Sequence, residues 1–247
     1  MERSELVKVV RNAFLLTLSL FLCMGAVKAE SYYTNNNGVS LTEKEYNYVI
    51  DFYGDDYPSK MTAEDYNWIQ KMDVNNRDYK IEKYYDNDTT TRSSFHQTSS
   101  KYLAISKTCS NTCSVTILLK WLKNPNVRSY DVIGARFVNT SLISGSADTF
   151  VSSSAGSTYY SNYQYFSNGF GNTVKLPTNA TSIMVQQNFE VQNSGTVYGS
   201  YQHATGYISL AQSKKYSIHY NGAGTVFLFD NSVNDYFDQM GGVWINM

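Results

Sequence analysis

From about residue 79 onward, apolar side chains recur at every second position, and that period fits extended chain. Cys113, Val115, Ile117, Leu119 and Trp121 alternate with Ser114, Thr116, Leu118 and Lys120. Ile183, Val185, Gln187, Phe189 and Val191 alternate with Met184, Gln186, Asn188, Glu190 and Gln192. Successive strand side chains point to opposite faces, so these segments predict antiparallel strands with one face buried and one in water. Weaker strand signals cover residues 79–85, 102–107, 129–138, 196–202, 206–210, 216–220, 225–229 and 242–246. Val226, Phe227, Leu228 and Phe229 are apolar in succession, which predicts a central strand. Short strands with Gly, Asn and Ser breaks and no helices between them predict a mainly β fold. The expected form is an antiparallel β-sandwich, with a jelly roll as one arrangement of it.

The chain ahead of residue 79 has a different grammar. Leu41-Thr42-Glu43-Lys44-Glu45-Tyr46 is echoed by Met61-Thr62-Ala63-Glu64-Asp65-Tyr66. Each copy is a helix start. Thr42 and Thr62 are N-caps, and Glu45 and Asp65 stand where a carboxylate reaches back to the cap. Leu41 with Tyr46, and Met61 with Tyr66, occupy the hydrophobic-staple positions. The first helix is predicted over 43–53, burying Tyr46, Val49, Ile50 and Tyr53, with Gly54 and Pro58 ending it. The second is predicted over 63–72, burying Tyr66, Ile69 and Met72. Helices this short need a larger surface to pack on. Residues 87–94 read as a loop.

Residues 1–29 carry an export signal. A basic start with Arg3, Lys8 and Arg11 precedes an apolar run over 13–26 that is short for a membrane span. Val27-Lys28-Ala29 offers a signal-peptidase site, with cleavage expected after Ala29. The expected organisation is a signal peptide over 1–29, a small helical hairpin module over 30–78 and a β-sandwich domain over 79–247. The expected location is secreted, outside the cytoplasm. No second hydrophobic stretch or wall anchor follows, so surface attachment is expected to be non-covalent.

Cleavage removes Arg3, Lys8, Arg11 and Lys28 from 20 basic residues, and Glu2 and Glu5 from 21 acidic ones. The remaining 16 against 19 give a net charge of −3, which attracts neither nucleic acid nor anionic lipid. Charged residues are 17% of the chain, and 22 tyrosines with abundant Ser, Thr and Asn fill the space. Tyrosine favours strands and tolerates a half-wet surface. Cys23 leaves with the signal peptide. Cys109 and Cys113 remain, and two cysteines in an exported chain predict a disulfide.

Cofactor and metal chemistry find no motif. A zinc site would need two ligands beyond the cysteines, and His96, His203 and His219 lack ligand spacing. Asp55-Asp56 and Asp73-Val74-Asn75-Asn76 invite a calcium reading. Aligning Gly38 at the loop glycine puts Tyr33 and Lys44 at ligand positions, so the pattern fails. No nucleophile elbow, zinc-protease helix or phosphate loop is present, and the three histidines read as surface or structural residues. Asp230, Asp235 and Asp238 lie close in sequence, but spacing alone does not identify a glycosidase pair. The chain is therefore expected to be no enzyme.

Two binding readings remain. Residues 139–173 carry one formal charge, Asp148, among Ser, Gly, Thr, Asn and aromatics. They read as a long surface loop, a ligand-binding loop or a membrane-inserting hairpin. Tyr159, Tyr160, Tyr163, Tyr165, Tyr198 and Tyr201 cluster in low-charge segments. Exposed tyrosine faces suit glycan or protein surfaces. The leading expectation is a secreted, non-enzymatic binder of glycan or protein through these residues. The alternative is a secreted β-type pore-forming protein, the one reading in which membrane contact is expected.

Overall fold

The computed structural model describes residues 31–87, 99–219, 226–238 and 240–247. Residues 1–29, where an export signal is expected, His96 and most of the 87–94 loop lie outside the described residues.

The chain begins with a small ribbon, β1 (Tyr33–Thr34) against β2 (Ser40–Leu41). Asn35 fixes its turn, accepting from the Val39 amide and donating to the Pro58 and Met61 carbonyls. Two helices follow, α1 (Glu43–Tyr53) and α2 (Ala63–Met72), with the predicted bounds. Both starts are complete capping boxes on Thr42 with Glu45 and Thr62 with Asp65. Gly54 caps α1 at a φ of 99°, a conformation that glycine adopts without strain.

The buried stripes differ from expectation. α1 buries Glu45, Tyr48, Val49, Phe52 and Tyr53, leaving Tyr46 and Ile50 half-buried. α2 buries Trp68, Ile69 and Met72, with Tyr66 at the rim. The reason is a polar docking surface. The Tyr48 hydroxyl meets Ser106 Oγ at 2.8 Å, and Trp68 Nε1 donates to Thr116 Oγ1 at 2.6 Å. The Tyr102 hydroxyl and Lys120 Nζ donate to the Phe52 and Tyr53 carbonyls at the end of α1. These partners turn each helix to the face that satisfies them.

The strands then form two antiparallel sheets. They are β3 (Tyr79–Asn87), β4 (Ser99–Cys109), β5 (Thr112–Trp121), β6 (Tyr130–Val138), β7 (Asp148–Ser153), β8 (Gly156–Tyr159), β9 (Tyr163–Phe166), β10 (Gly169–Lys175), β11 (Ile183–Gln192) and β12 (Thr196–Gln202). After them come helix α3 (Leu210–Ser213), β13 (Tyr216–Ile218), β14 (Phe227–Phe229) and β15 (Val243–Asn246). One sheet has the order β3-β4-β5-β11-β7-β8, the other β15-β12-β6-β10-β9. The fold is a mainly β antiparallel sandwich preceded by a short helical hairpin. Its inner core holds Ile105, Ile117 and Phe189 from the first sheet and Ile133, Phe137 and Phe170 from the second.

Neither sheet has a wet face across its centre. β5 is buried at seven consecutive positions, Cys113 to Leu119, against the expectation of one solvated face. The helices cover its outer side, in a cluster that joins Tyr48, Phe52, Trp68 and Met72 to Tyr102, Ala104 and Leu118. Polar residues facing this layer hydrogen-bond one another: Gln186 Nε2 donates to Asn188 Oδ1, which also accepts from Thr116. The second sheet is covered by the C-terminal segment, where Tyr216, Phe227, Phe229 and Phe237 pack on Val132. Gly134 and Gly171, paired across β6 and β10, make the floor for these rings. A Cβ on Gly171 would lie 2.5 Å from the Tyr216 hydroxyl, and one on Gly134 2.9 Å from Phe227.

Three further expectations are corrected. Residues 139–173 are not one long loop: after irregular chain over 139–147 they supply β7, β8, β9 and the start of β10, with β10 inside the five-stranded sheet. β10 is almost wholly buried, whereas β8 is exposed along its whole length, so burial does not account for the low charge throughout. β14 is no central strand; among the described residues it pairs with β13 alone, and Leu228 is 54% exposed. The strand read at 206–210 is irregular chain leading into α3, where Ser209 and Gln212 form a third capping box.

The β4–β5 turn is closed by the Cys109–Cys113 disulfide across a directly opposed pair. Intact mass without reductant, after thiol alkylation, should show neither cysteine labelled; two labels per chain would contradict the pairing. Gly171→Ala should cost about 1–3 kcal/mol through overpacking, read as a lower thermal midpoint. A midpoint equal to wild type would refute the close seating of the aromatic rings.

Candidate functional site

Four of the six singled-out tyrosines meet at one edge of the sandwich. β8 ends the six-stranded sheet and β9 ends the five-stranded one, and residues 160–162 join them. Tyr159 is 60% exposed and packs its ring on Phe150. Tyr165 is 61% exposed and stacks on Tyr163 at 5.7 Å. Tyr160 and Tyr163 are half-buried anchors, their hydroxyls donating to the Lys175 carbonyl and Thr149 Oγ1. Burial, with Asp148 nearby, outweighs the Thr149 bond and pushes the Tyr163 phenol up to about 12. Burial also pushes the Tyr159 and Tyr160 phenols up, so these two and Tyr163 stay neutral donors at physiological pH.

The other two tyrosines do not join them. Tyr198 and Tyr201 are three residues apart on β12, so they point to opposite faces. Tyr198 lies on the outer face beside Arg136, 5.8 Å from its ring centre. Tyr201 is fully buried in the core, and its hydroxyl donates to Asp131. A core ring offers no face to a ligand.

Asp131 is the hub of a buried network that sequence reading missed. It accepts from Tyr201, from the Ala204 amide at 2.9 Å and from His203 Nδ1 at 2.9 Å. His203 packs edge-on against Trp121, and its amide donates to Asp238. Asp238 pairs with Lys101 at 2.7 Å. Burial pushes the Asp238 carboxyl up, and Lys101 opposes that shift. Residues from β4, β6, β12 and the C-terminal segment thus share one polar knot. Its hydrogen bonds tie strands together, and only topology brings these distant positions into contact. His219, by contrast, is exposed.

Next to the tyrosine edge, on the outer side of the six-stranded sheet, lies a groove of about 610 Å³. Lys120, Met184, Ser152 and Ser157 are neighbours in register across four strands and line it. The α1–α2 connection and the first turn of α2 supply the facing wall, with Asp56, Tyr57 and Thr62 from the connection and Asp65 from the helix. Asp56 holds Lys120 at 2.8 Å and Lys60 at 2.7 Å. Burial pushes its carboxyl up, but the two lysines outweigh this and hold it at about 2. The Asp55-Asp56 pair and the 152–154 serine run were both visible in sequence. Their meeting was not, because it depends on how the helices sit on the sheet.

No protein-family model matches the chain, and no curated protein matches it. Among solved structures it is similar to the collagen-binding domain of the Erysipelothrix rhusiopathiae surface protein RspB. That match has 10% identity, a TM-score of 0.31, and coverage of 51% of this chain and 49% of that one. It is also similar to the full-length major pilin RrgB of Streptococcus pneumoniae, at 11% identity and a TM-score of 0.31, covering 51% and 24%. A structure of the RrgB pilus backbone gives 13% identity and a TM-score of 0.30, covering 51% and 32%. The chain spans half or less of each of these proteins.

Asp56 generates a pH prediction. Its folded value lies below the ordinary 3.8, so its contribution is present above that pH and is lost as pH falls toward 2. A carbon-detected titration of its carboxyl should show a midpoint near 2, and Lys120→Met should move it toward 3.8. A wild-type midpoint at 3.8 would contradict the pairing.

Proposed function

We propose that this chain is an exported, non-enzymatic binding protein that engages a protein surface through the edge formed by β8 and β9. The observation that carries this reading is the exposure of Tyr159 and Tyr165 on two uncharged edge strands at one side of the sandwich. Edge strands present unpaired backbone donors and acceptors, and proteins usually blunt them with charge or proline. The opposite edge of the same sheet, β3, carries Lys80, Glu82 and Lys83. β8 (Gly-Ser-Thr-Tyr) and β9 (Tyr-Gln-Tyr-Phe) carry neither charge nor proline. An extended segment of a partner can add to such an edge through main-chain bonds, with side chains giving selectivity. Tyrosine supplies contact area at low entropic cost, and Tyr160 and Tyr163 hold the edge in place beneath the exposed rings. The export signal at residues 1–29 supports an extracellular setting.

The test pairs binding with stability. The exported chain is probed against immobilised extracellular-matrix and cell-surface proteins, then compared with the Tyr159→Ala/Tyr165→Ala variant. Exposed rings bury little area on folding, so the thermal midpoint should hold while capture falls at least tenfold, about 1.4 kcal/mol. Capture unchanged in a folded double variant would overturn the reading.

A further inference from the structure

We propose that the groove between the α1–α2 connection and the β7–β8 hairpin binds a short neutral oligosaccharide. The site adjoins the tyrosine edge and shares Gly156 and Ser157 of β8 with it, but it does not rest on the reading of that edge. Its volume of about 610 Å³ falls in the span of small-ligand sites, roughly 300–1,000 Å³.

Charge selects the ligand class. Asp56 and Asp65 are matched by Lys60 and Lys120, and both lysines are already paired with Asp56. The groove therefore has no surplus charge with which to hold an anion or a cation. Among its polar side chains hydroxyls are the most numerous: five serines and two threonines line it, beside a larger share of apolar surface. Ser152, Ser157 and Ser182 have side-chain hydroxyls that make no hydrogen bond among the described residues. Each can donate and accept. Tyr57, Ile183 and Met184 add apolar surface. A sugar ring has this dual character, with apolar C–H faces and a rim of hydroxyls.

Lys120 and Asp56 give the groove a fixed polar anchor. Lys120 donates to the Tyr53 carbonyl at 2.7 Å and to Asp56 at 2.8 Å, which leaves one of its three N–H groups for a ligand. Asp56 remains a carboxylate throughout the physiological range. A sugar hydroxyl placed between them accepts from the ammonium and donates to the carboxylate. A peptide is the poorer occupant. Its amides are best met by unpaired backbone, whereas the floor here is a sheet face whose backbone is engaged in ladders with its neighbours.

Saturation-transfer NMR and calorimetry on the exported chain test this with maltotriose, cellotriose, xylotriose and chitotriose, and a heparin hexasaccharide as charged control. At least one neutral trisaccharide should bind. Ser157→Trp, at an exposed position that fills the groove, should weaken it at least tenfold, and so should Lys120→Met. Tyr165→Ala should leave it unchanged. If Lys120→Met fails to fold, Ser157→Trp still decides the matter. Binding by none of the neutral sugars, binding by the heparin fragment alone, or neutral-sugar binding that survives Ser157→Trp would each overturn the proposal.

Discussion

Both sheets of this sandwich bury both of their faces at the centre, and the rest of the structure depends on that double burial. A two-sheet sandwich needs only its facing surfaces to be apolar. Here Tyr102, Ala104 and Leu118 point away from the inner core and require the helical hairpin to cover them. Val132 and the Gly134–Gly171 floor point away on the other side and require the C-terminal aromatic segment. The result is four layers. The outer two are joined to the sheets by buried rings and by specific hydrogen bonds such as Trp68 to Thr116 and Tyr48 to Ser106. Two short helices gain from the sheet the burial that their length cannot supply.

Much of this was legible in the residues. The capping boxes placed both helices, because a cap is a local bargain between a side chain and the nearest amides. β11 was found with its observed bounds because its alternation is regular, and β12 with its bounds from a weaker strand signal. The outer layers were not legible from period alone. Thr116, Gln186 and Asn188 look like a solvent face, yet they form a buried hydrogen-bonded interface. Polarity reports that a side chain needs partners and does not say whether water or protein provides them. The same ambiguity hid β7 to β10: Gly169 and Gly171 mark close packing in β10, while the Gly, Ser and Thr of β8 form an exposed edge strand.

The candidate sites follow the same division. Composition pointed to tyrosines, and Tyr159, Tyr160, Tyr163 and Tyr165 do gather at one edge. The face of each ring depends on strand register, which sends Tyr201 into the core and Tyr198 to the far side. The groove beside that edge combines residues about a hundred positions apart, Asp56 with Ser152 and Ser157. The helical hairpin therefore has two roles. It covers the sheet, and its connection walls the groove.

The most direct measurement of this dependence is to remove residues 31–78 and follow folding of the remaining chain by thermal melt and hydrophobic-dye binding. Double burial predicts that the shortened protein loses its cooperative transition and binds dye, because the outer face of β4 and β5 is left bare. A cooperative melt at the wild-type temperature, without dye binding, would contradict the account.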